Sequence, residues 1–418
     1  MTAEIVVANR WGVAIAADSA VTIEQLYKGE IKEKVYNSAN KLFTLSKWHP
    51  VGIMIYNTMT LGGTPWETII KIIRGRLGRD KFDTLKDYAD YFISELNRSA
   101  VLFPDESTSV IVKYNCYRIF REIANGCANY SDFSTSLDAK IDKLGKFEPI
   151  DGFDKAFISS ITKKYANEIE AAADAALKST HKNRCAKRLK KLIELALSRK
   201  NLLPGYSGIV VSGFGDAEVF PSVIEYQSDI IVNGRARIWQ SRARSITQRE
   251  NSFVMPFADT DVIKTITEGI NPKFQEKFLS EAINMISKIP YEVLRPVTSL
   301  SDDEKLSFAK NATESLISAF SAFVSDMKKY RESEHVDPIE QTLSVLPVSE
   351  LATVAETLLN ASQIHKRVNP EIETVGGPVD VAVISKGDGF VWIKRKHYFD
   401  LQLNPSYTQK YLGSPEPT

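Results

Sequence analysis

Thr2-Ala3-Glu4-Ile5-Val6-Val7-Ala8-Asn9-Arg10-Trp11-Gly12-Val13-Ala14-Ile15-Ala16-Ala17-Asp18 is the stretch whose reading decides the fold. Its apolar run Ile5 to Ala8 predicts a strand, Asn9 to Gly12 a turn, and Val13 to Ala17 a second strand ending in Asp18. A hairpin of that shape carries a carboxylate back beside the start of the chain. Thr2 is small enough to permit removal of Met1, and the new terminus would hold a hydroxyl and a free α-amine on one residue, nucleophile and base together. A free α-amine titrates near ~8, so it can take up a proton close to neutral pH. The competing reading is that Thr2 is an ordinary frayed terminal residue and that Asp18 opens a turn with Ser19.

The run Thr2 to Asp18, with Ala16-Ala17-Asp18-Ser19 at its end, resembles the N-terminus of mature proteasome β subunits and of the bacterial HslV peptidase. In that family the nucleophilic Thr and a following Asp have the same separation of sixteen residues. Three further segments resemble the family in the right order. Asn40-Lys41-Leu42-Phe43-Thr44-Leu45 is similar to its lysine-bearing strand, and Val51-Gly52-Ile53-Met54-Ile55-Tyr56 to its next strand. Val375-Gly376-Gly377-Pro378-Val379-Asp380-Val381-Ala382-Val383-Ile384, with Gly387-Asp388-Gly389, is similar to its Gly-Gly strand and hairpin.

The resemblance implies an α+β fold, a four-layer αββα sandwich of the N-terminal-nucleophile hydrolases. It also implies a site: Thr2 as nucleophile, Lys41 as the cation that favours its deprotonated hydroxyl, Asp18 as the partner holding Lys41, and the backbone N–H of Asn57 as an oxyanion donor. The chain departs from the pattern in places. Asp18 and Lys41 are 23 residues apart, longer than in the family, which an insertion around Gln25 to Glu33 with a Gly29 tip would absorb. Lys34 has the closer spacing but lacks the Leu-Phe-Thr-Leu strand that follows Lys41. No glycine follows Tyr56 directly, Val375 stands where the family has Ser, with Glu371 and Glu373 nearby, and Met255 to Asp259 stands where a Gly-Ser-Gly turn is expected.

Composition bounds the rest. The 418 residues are 43% hydrophobic and 25% charged, ordinary for a globular chain with ample core, and that length alone would suggest two or three domains. Fifty-three basic against 52 acidic residues leave a formal charge of +1, so there is no global attraction to nucleic acid or membrane. Cys116, Cys127 and Cys185 are odd in number and form no CxxC pair, which points to thiols in a reducing cytoplasm rather than a disulfide framework or zinc site. The five histidines are scattered, and no metal or cofactor is expected.

Short apolar runs at 5–8, 13–17, 51–56, 208–214, 219–226, 229–233, 379–384 and 391–393 read as strands, several with both faces covered. Thr64-Pro65 reads as the start of a helix through Leu77, and a second helix is expected over Thr84 to Leu96. Helical stretches at 136–143, 154–178 and 182–199, and a block from about 262 to 330, are in excess of the family's length. The expected organisation is therefore a proteasome-like core over 1–99, 205–264 and 346–400, helical insertions at 100–204 and 265–345, and a tail at 401–418. The basic run Lys187 to Lys191 reads as the solvated face of an amphipathic helix, since Leu189, Leu192, Ile193 and Ala196 share the other face. Gly213-Phe214-Gly215 lacks the helix a nucleotide fingerprint needs.

The function expected is hydrolysis of peptide or amide bonds through an acyl ester on Thr2, in a cytoplasmic homo-oligomer acting on a peptide or protein substrate, with an unfoldase as a candidate partner. The alternatives are a catalytically silent scaffold or binding subunit that keeps Met1, and a small-molecule amidase on the same fold.

Overall fold

The computed structural model describes residues 3–27, 30–99, 102–103, 105–369, 375–397, 399–400, 402–406 and 409. Helix makes up 53% and strand 21%, which is an α+β protein. The strands are β1 (Ala3–Asn9), β2 (Gly12–Ala17), β3 (Val21–Tyr27), β4 (Glu30–Tyr36), β5 (Leu42–Thr44), β6 (Val51–Asn57), β7 (Thr60–Leu61), β8 (Thr64–Pro65), β9 (Ser207–Gly213), β10 (Ser222–Val232), β11 (Arg235–Ser245), β12 (Ser252–Ala258), β13 (Asp380–Ser385) and β14 (Gly389–Lys394). The helices are α1 (Trp66–Leu77), α2 (Leu85–Arg98), α3 (Asp105–Ala124), α4 (Tyr130–Gly145), α5 (Lys155–Lys164), α6 (Ala166–Ala176), α7 (Ser179–Ser198), α8 (Asp261–Glu268), α9 (Pro272–Leu294), α10 (Asp302–Arg331), α11 (Asp337–Val345) and α12 (Val348–Val368). A π-helical turn, Glu332–Val336, links α10 to α11.

Two five-stranded sheets form the body, in the orders β12-β1-β2-β13-β14 and β11-β10-β9-β6-β5. Side chains alternate across a strand, so β1 sends Val6 and Ala8 to one face and Ile5 and Val7 to the other. Val6 and Ala8 join Val13, Ile15, Met54, Tyr56, Val210, Phe253 and Phe257 in one cluster, drawn from both sheets. Ile5 and Val7 meet Leu351, Ala355 and Leu359 of α12 and Leu343 of α11. The outer face of the other sheet, with Ile53, Ile55, Ile209 and Val211, is covered by Trp66, Ile69, Ile73, Tyr88 and Phe92 of α1 and α2. The central strands are thus buried on both faces, which explains their unbroken apolar runs.

Helices α3 to α7 form their own cluster around Phe120, Phe133, Ile161 and Leu192, which reaches the second sheet through Ile230, Val232 and Trp239. In α7, Leu189, Leu192, Ile193 and Ala196 are buried while Lys187, Lys190 and Lys191 face solvent. Below this cluster a fully buried ion pair closes the β10–β11 ribbon. Arg237 Nη1 donates to Asp229 Oδ2 at 2.6 Å, and Nη2 donates to the carbonyls of Arg199 and Asn201 at 2.9 and 3.1 Å. Burial raises the Asp229 pKa and lowers that of Arg237, against their mutual attraction.

Several local expectations are corrected. The runs at 219–226 and 229–233 are one continuous strand, β10. The segments β11 and β12 are also strands; β12 pairs along the whole of β1, Ala3 opposite Ala258 through Asn9 opposite Ser252. Pro256 is tolerated there because β12 is an edge strand. The helix expected over 154–178 is broken at Tyr165, and the 262–330 block is three helices. Thr64 does not cap α1: Thr64-Pro65 pairs with Thr60-Leu61, and extended Pro65 precedes the first helical residue, Trp66. At α2, Thr84 does form a capping box with Asp87.

Candidate functional site

The hairpin of β1 and β2 pairs Glu4 with Ala17, which puts Asp18 opposite the first described residue, Ala3. Asp18 N donates to the Ala3 carbonyl at 3.2 Å, and Ala3 N donates back to Asp18 Oδ1 at 3.3 Å. The other carboxylate oxygen, Oδ2, accepts from Gly376 N at 2.9 Å. Ser19 completes the seam: its amide donates to the Gly376 carbonyl at 3.1 Å and its hydroxyl to the Pro378 carbonyl at 2.5 Å. Gly377 needs its hydrogen side chain here, since it sits at φ 76° and a Cβ would lie 2.9 Å from that of Asn37.

Lys41 immediately precedes β5, and its carbonyl accepts from Ile55 N at 2.9 Å. Its Nζ lies between two carboxylates, donating to Glu4 Oε1 at 3.0 Å and to Asp18 Oδ1. All three side chains are fully buried. Buried ions are tolerated only when closely paired and hydrogen-bonded, and this trio meets both conditions. Its formal charge is −1, and the amides of Ala3 and Gly376 that donate to Asp18 offset part of the second carboxylate. Lys34, by contrast, is exposed and lies over the Tyr36 ring.

Asn57 ends β6 in the left-handed region, at φ 64°, two residues beyond the strand position bonded to Lys41. Its side chain hydrogen-bonds the Tyr206 hydroxyl. Burial raises the pKa of that hydroxyl, and the charges of Glu225 and Glu4 add to the effect. Tyr206 thus hydrogen-bonds Asn57 and lies within the electrostatic reach of Glu4. Beside it, Tyr56 donates to Glu225, which also accepts from Ser241 Oγ and Arg242 Nε, both at 2.6 Å. Burial works to raise the Glu225 pKa, but the hydrogen bonds from Arg242, Ser241 and Tyr56 prevail and it is lowered. Gly208 makes room for the Tyr56 ring, which a Cβ would overlap at 1.8 Å.

Of the residues the sequence singled out, Asp18 and Lys41 meet directly, Asn57 lies at the adjoining strand end, and Thr2 lies outside the described residues, as do Glu371 and Glu373. Asp259 forms an ion pair with Lys366 at 2.8 Å instead of joining Asp18. Sequence reasoning missed Glu4, Tyr206 and Glu225. The signal for Glu4 was available: it is an acidic residue on an otherwise apolar strand, with the same parity as Val6 and Ala8 that face the second sheet. Among the described residues no group of three His, Cys, Asp or Glu could hold a metal, and no helix is long and apolar enough to cross a membrane.

Neither a search of protein families nor one of curated proteins finds a match to this sequence. Among solved structures, Anbu (ancestral beta-subunit) from Yersinia bercovieri aligns over 100% of this chain and 99% of its own, with 8% identity and a TM-score of 0.31. The likeness is distant.

Proposed function

We propose that the protein is an N-terminal-threonine hydrolase that cleaves peptide or other amide bonds after removal of Met1. In this reading the two sheets and the helices on their outer faces are the αββα sandwich of that class, and residues 100–204 and 265–345 are insertions in it. The observation that carries the proposal is the buried Lys41 ammonium held between Asp18 and Glu4, with Asp18 also bound to the amide of Ala3. That bond fixes the chain one residue from Thr2.

The proposed chemistry follows from those charges. The Thr2 hydroxyl attacks the scissile carbonyl while its own α-amine takes the proton, with the Lys41 charge favouring the developing oxyanion of Thr2 and depressing the amine's basicity. The tetrahedral oxyanion is met by a backbone N–H at Asn57, the amine leaving group receives the proton, and an ester on Thr2 remains. Water then hydrolyses the ester, with the α-amine as base.

The substrate would be a peptide or protein, handled by a homo-oligomer. The test is intact mass followed by labelling with a peptidyl epoxyketone, which requires both the hydroxyl and the free amine of a terminal threonine. A chain starting at Thr2 that labels once, and a Thr2→Ala variant that does not label, is the expected result. Retention of Met1 in all molecules, or labelling that persists in Thr2→Ala, would overturn the assignment.

A further inference from the structure

Helices α9 and α10 pack chiefly on each other, and are tied to the rest of the chain at one end through α8 and the π-helical turn. Arg331 at that end reaches Gln275 and Glu268. In 53 helical residues only Pro290 and Ala309 are buried. Yet the pair is not polar. In α9, Phe274, Phe278, Met285, Ile289 and Val293 recur at helical spacing; in α10, Phe308, Leu316, Phe323, Met327 and Tyr330 do the same, and all are exposed. Between the two stripes runs an apolar cleft of about 580 Å³, lined by Ile289, Val293, Phe308, Ala312 and Leu316 among others.

We infer that this hairpin is a dimerisation arm, covered by the same hairpin of a second copy of this chain in a four-helix bundle. The area is sufficient. Phe274, Phe278, Phe308, Phe323 and Tyr330 are 53–63% exposed; at about 150–250 Å² for a whole aromatic side chain, these five offer roughly 500 Å². The aliphatic residues of the same stripes raise the total to on the order of the ~800 Å² per partner of a stable interface.

The charges select the partner and its direction. The first turn of α10 carries Asp302, Asp303 and Glu304, and its last turn carries Lys328, Lys329 and Arg331. Two copies of α10 laid parallel would set like charges together at both ends. Laid antiparallel about a two-fold axis near Leu316 and Ile317, they set each acidic end against a basic one, and oppose the helix dipoles as well. A lipid surface offers no such match, because the arm presents both signs.

The test is the mass of the full-length protein by light scattering across a dilution series. Leu316→Glu/Phe323→Glu is expected to halve the mass of the assembly while leaving the circular dichroism unchanged. Asp302→Lys/Asp303→Lys and Lys328→Glu/Lys329→Glu should each weaken association at least about 10-fold, by like-charge repulsion at both ends. Mixing those two variants, or combining all four substitutions in one chain, should restore it. An assembly mass unaffected by Leu316→Glu/Phe323→Glu, a wild-type monomer at all concentrations, or variants that fail to rescue each other would overturn the inference. So would binding of the arm to phosphatidylcholine vesicles in place of self-association.

Discussion

Replacing Lys41 by Met keeps the aliphatic stem and removes the ammonium that Glu4 and Asp18 share. Leaving a buried charge without its partner costs about 3–5 kcal/mol. Asp18 retains the amides of Ala3 and Gly376, which carry part of its charge, so the lower end, about 3 kcal/mol, is expected. In a Glu4→Gln/Asp18→Asn background no carboxylate remains to be stranded, and the same Lys41→Met change should cost under about 1 kcal/mol. Lys34→Met, at an exposed position, should stay within about 0.5 kcal/mol of wild type. Urea unfolding of the four combinations gives the coupling directly, provided the denaturant slope is unchanged. Equal costs of Lys41→Met in both backgrounds, or a cost matching that of Lys34→Met, would refute the reasoning. The Glu4→Gln/Asp18→Asn/Lys41→Met chain also separates structure from chemistry. If the proposed function is right it folds normally and loses about 10²-fold to 10⁴-fold in amide hydrolysis.

Arg237→Leu should destabilise by about 3–5 kcal/mol because Asp229 is left buried and unpaired, whereas Asp229→Leu/Arg237→Leu should recover a large part of that, as chemical denaturation would show. Glu225 has a folded pKa below its unfolded value, so its contribution is present above about pH 4.3 and is lost as the pH falls through the lower folded value; Glu225→Gln should flatten the stability profile in that acid range. Gly208→Ala should cost at least about 1–3 kcal/mol, since the new methyl group meets the Tyr56 ring, and Tyr56→Ala in the same chain should relieve the clash. Burial pushes the Cys116 thiol to about 12, so iodoacetamide at pH 8 should modify the partly exposed Cys127 first, as peptide mapping would reveal.

The hairpin that opens the chain was legible because both strands are apolar at successive positions and a turn separates them. Lys41 was preferred over Lys34 for the strand that follows it, and that strand explains its burial: β5 pairs with β6 inside the body, whereas Lys34 lies on a two-stranded ribbon. β11 was not legible, for Arg235, Arg237, Arg242 and Arg244 interrupt its apolar pattern. Arg237, Arg242 and Arg244 are matched by Asp229, Glu225 and Glu250, and Arg235 by the Gly152 carbonyl, all outside β11, so the strand's own pattern does not reveal them. The break at Tyr165 was hidden for a similar reason: the sequence carries no Gly or Pro there, and tertiary packing of Ile161 and Ala172 into one cluster sets the bend. Glu4 was passed over because a single acidic residue near a terminus reads as a solvated one.

The ribbon of β3 and β4 closes on itself. Val21 pairs with Tyr36, and just below them Ala39 N donates to the Ser19 carbonyl at 3.1 Å. The two ends of a long excursion are thereby brought together before the chain reaches Lys41, so the distance between Asp18 and Lys41 in space is independent of how many residues separate them in sequence. For protein engineering this makes the ribbon a modular port. The ribbon can be shortened by whole cross-strand pairs, or lengthened to carry a foreign epitope or reporter, while Ser19 and Ala39 keep the register of the charges beneath.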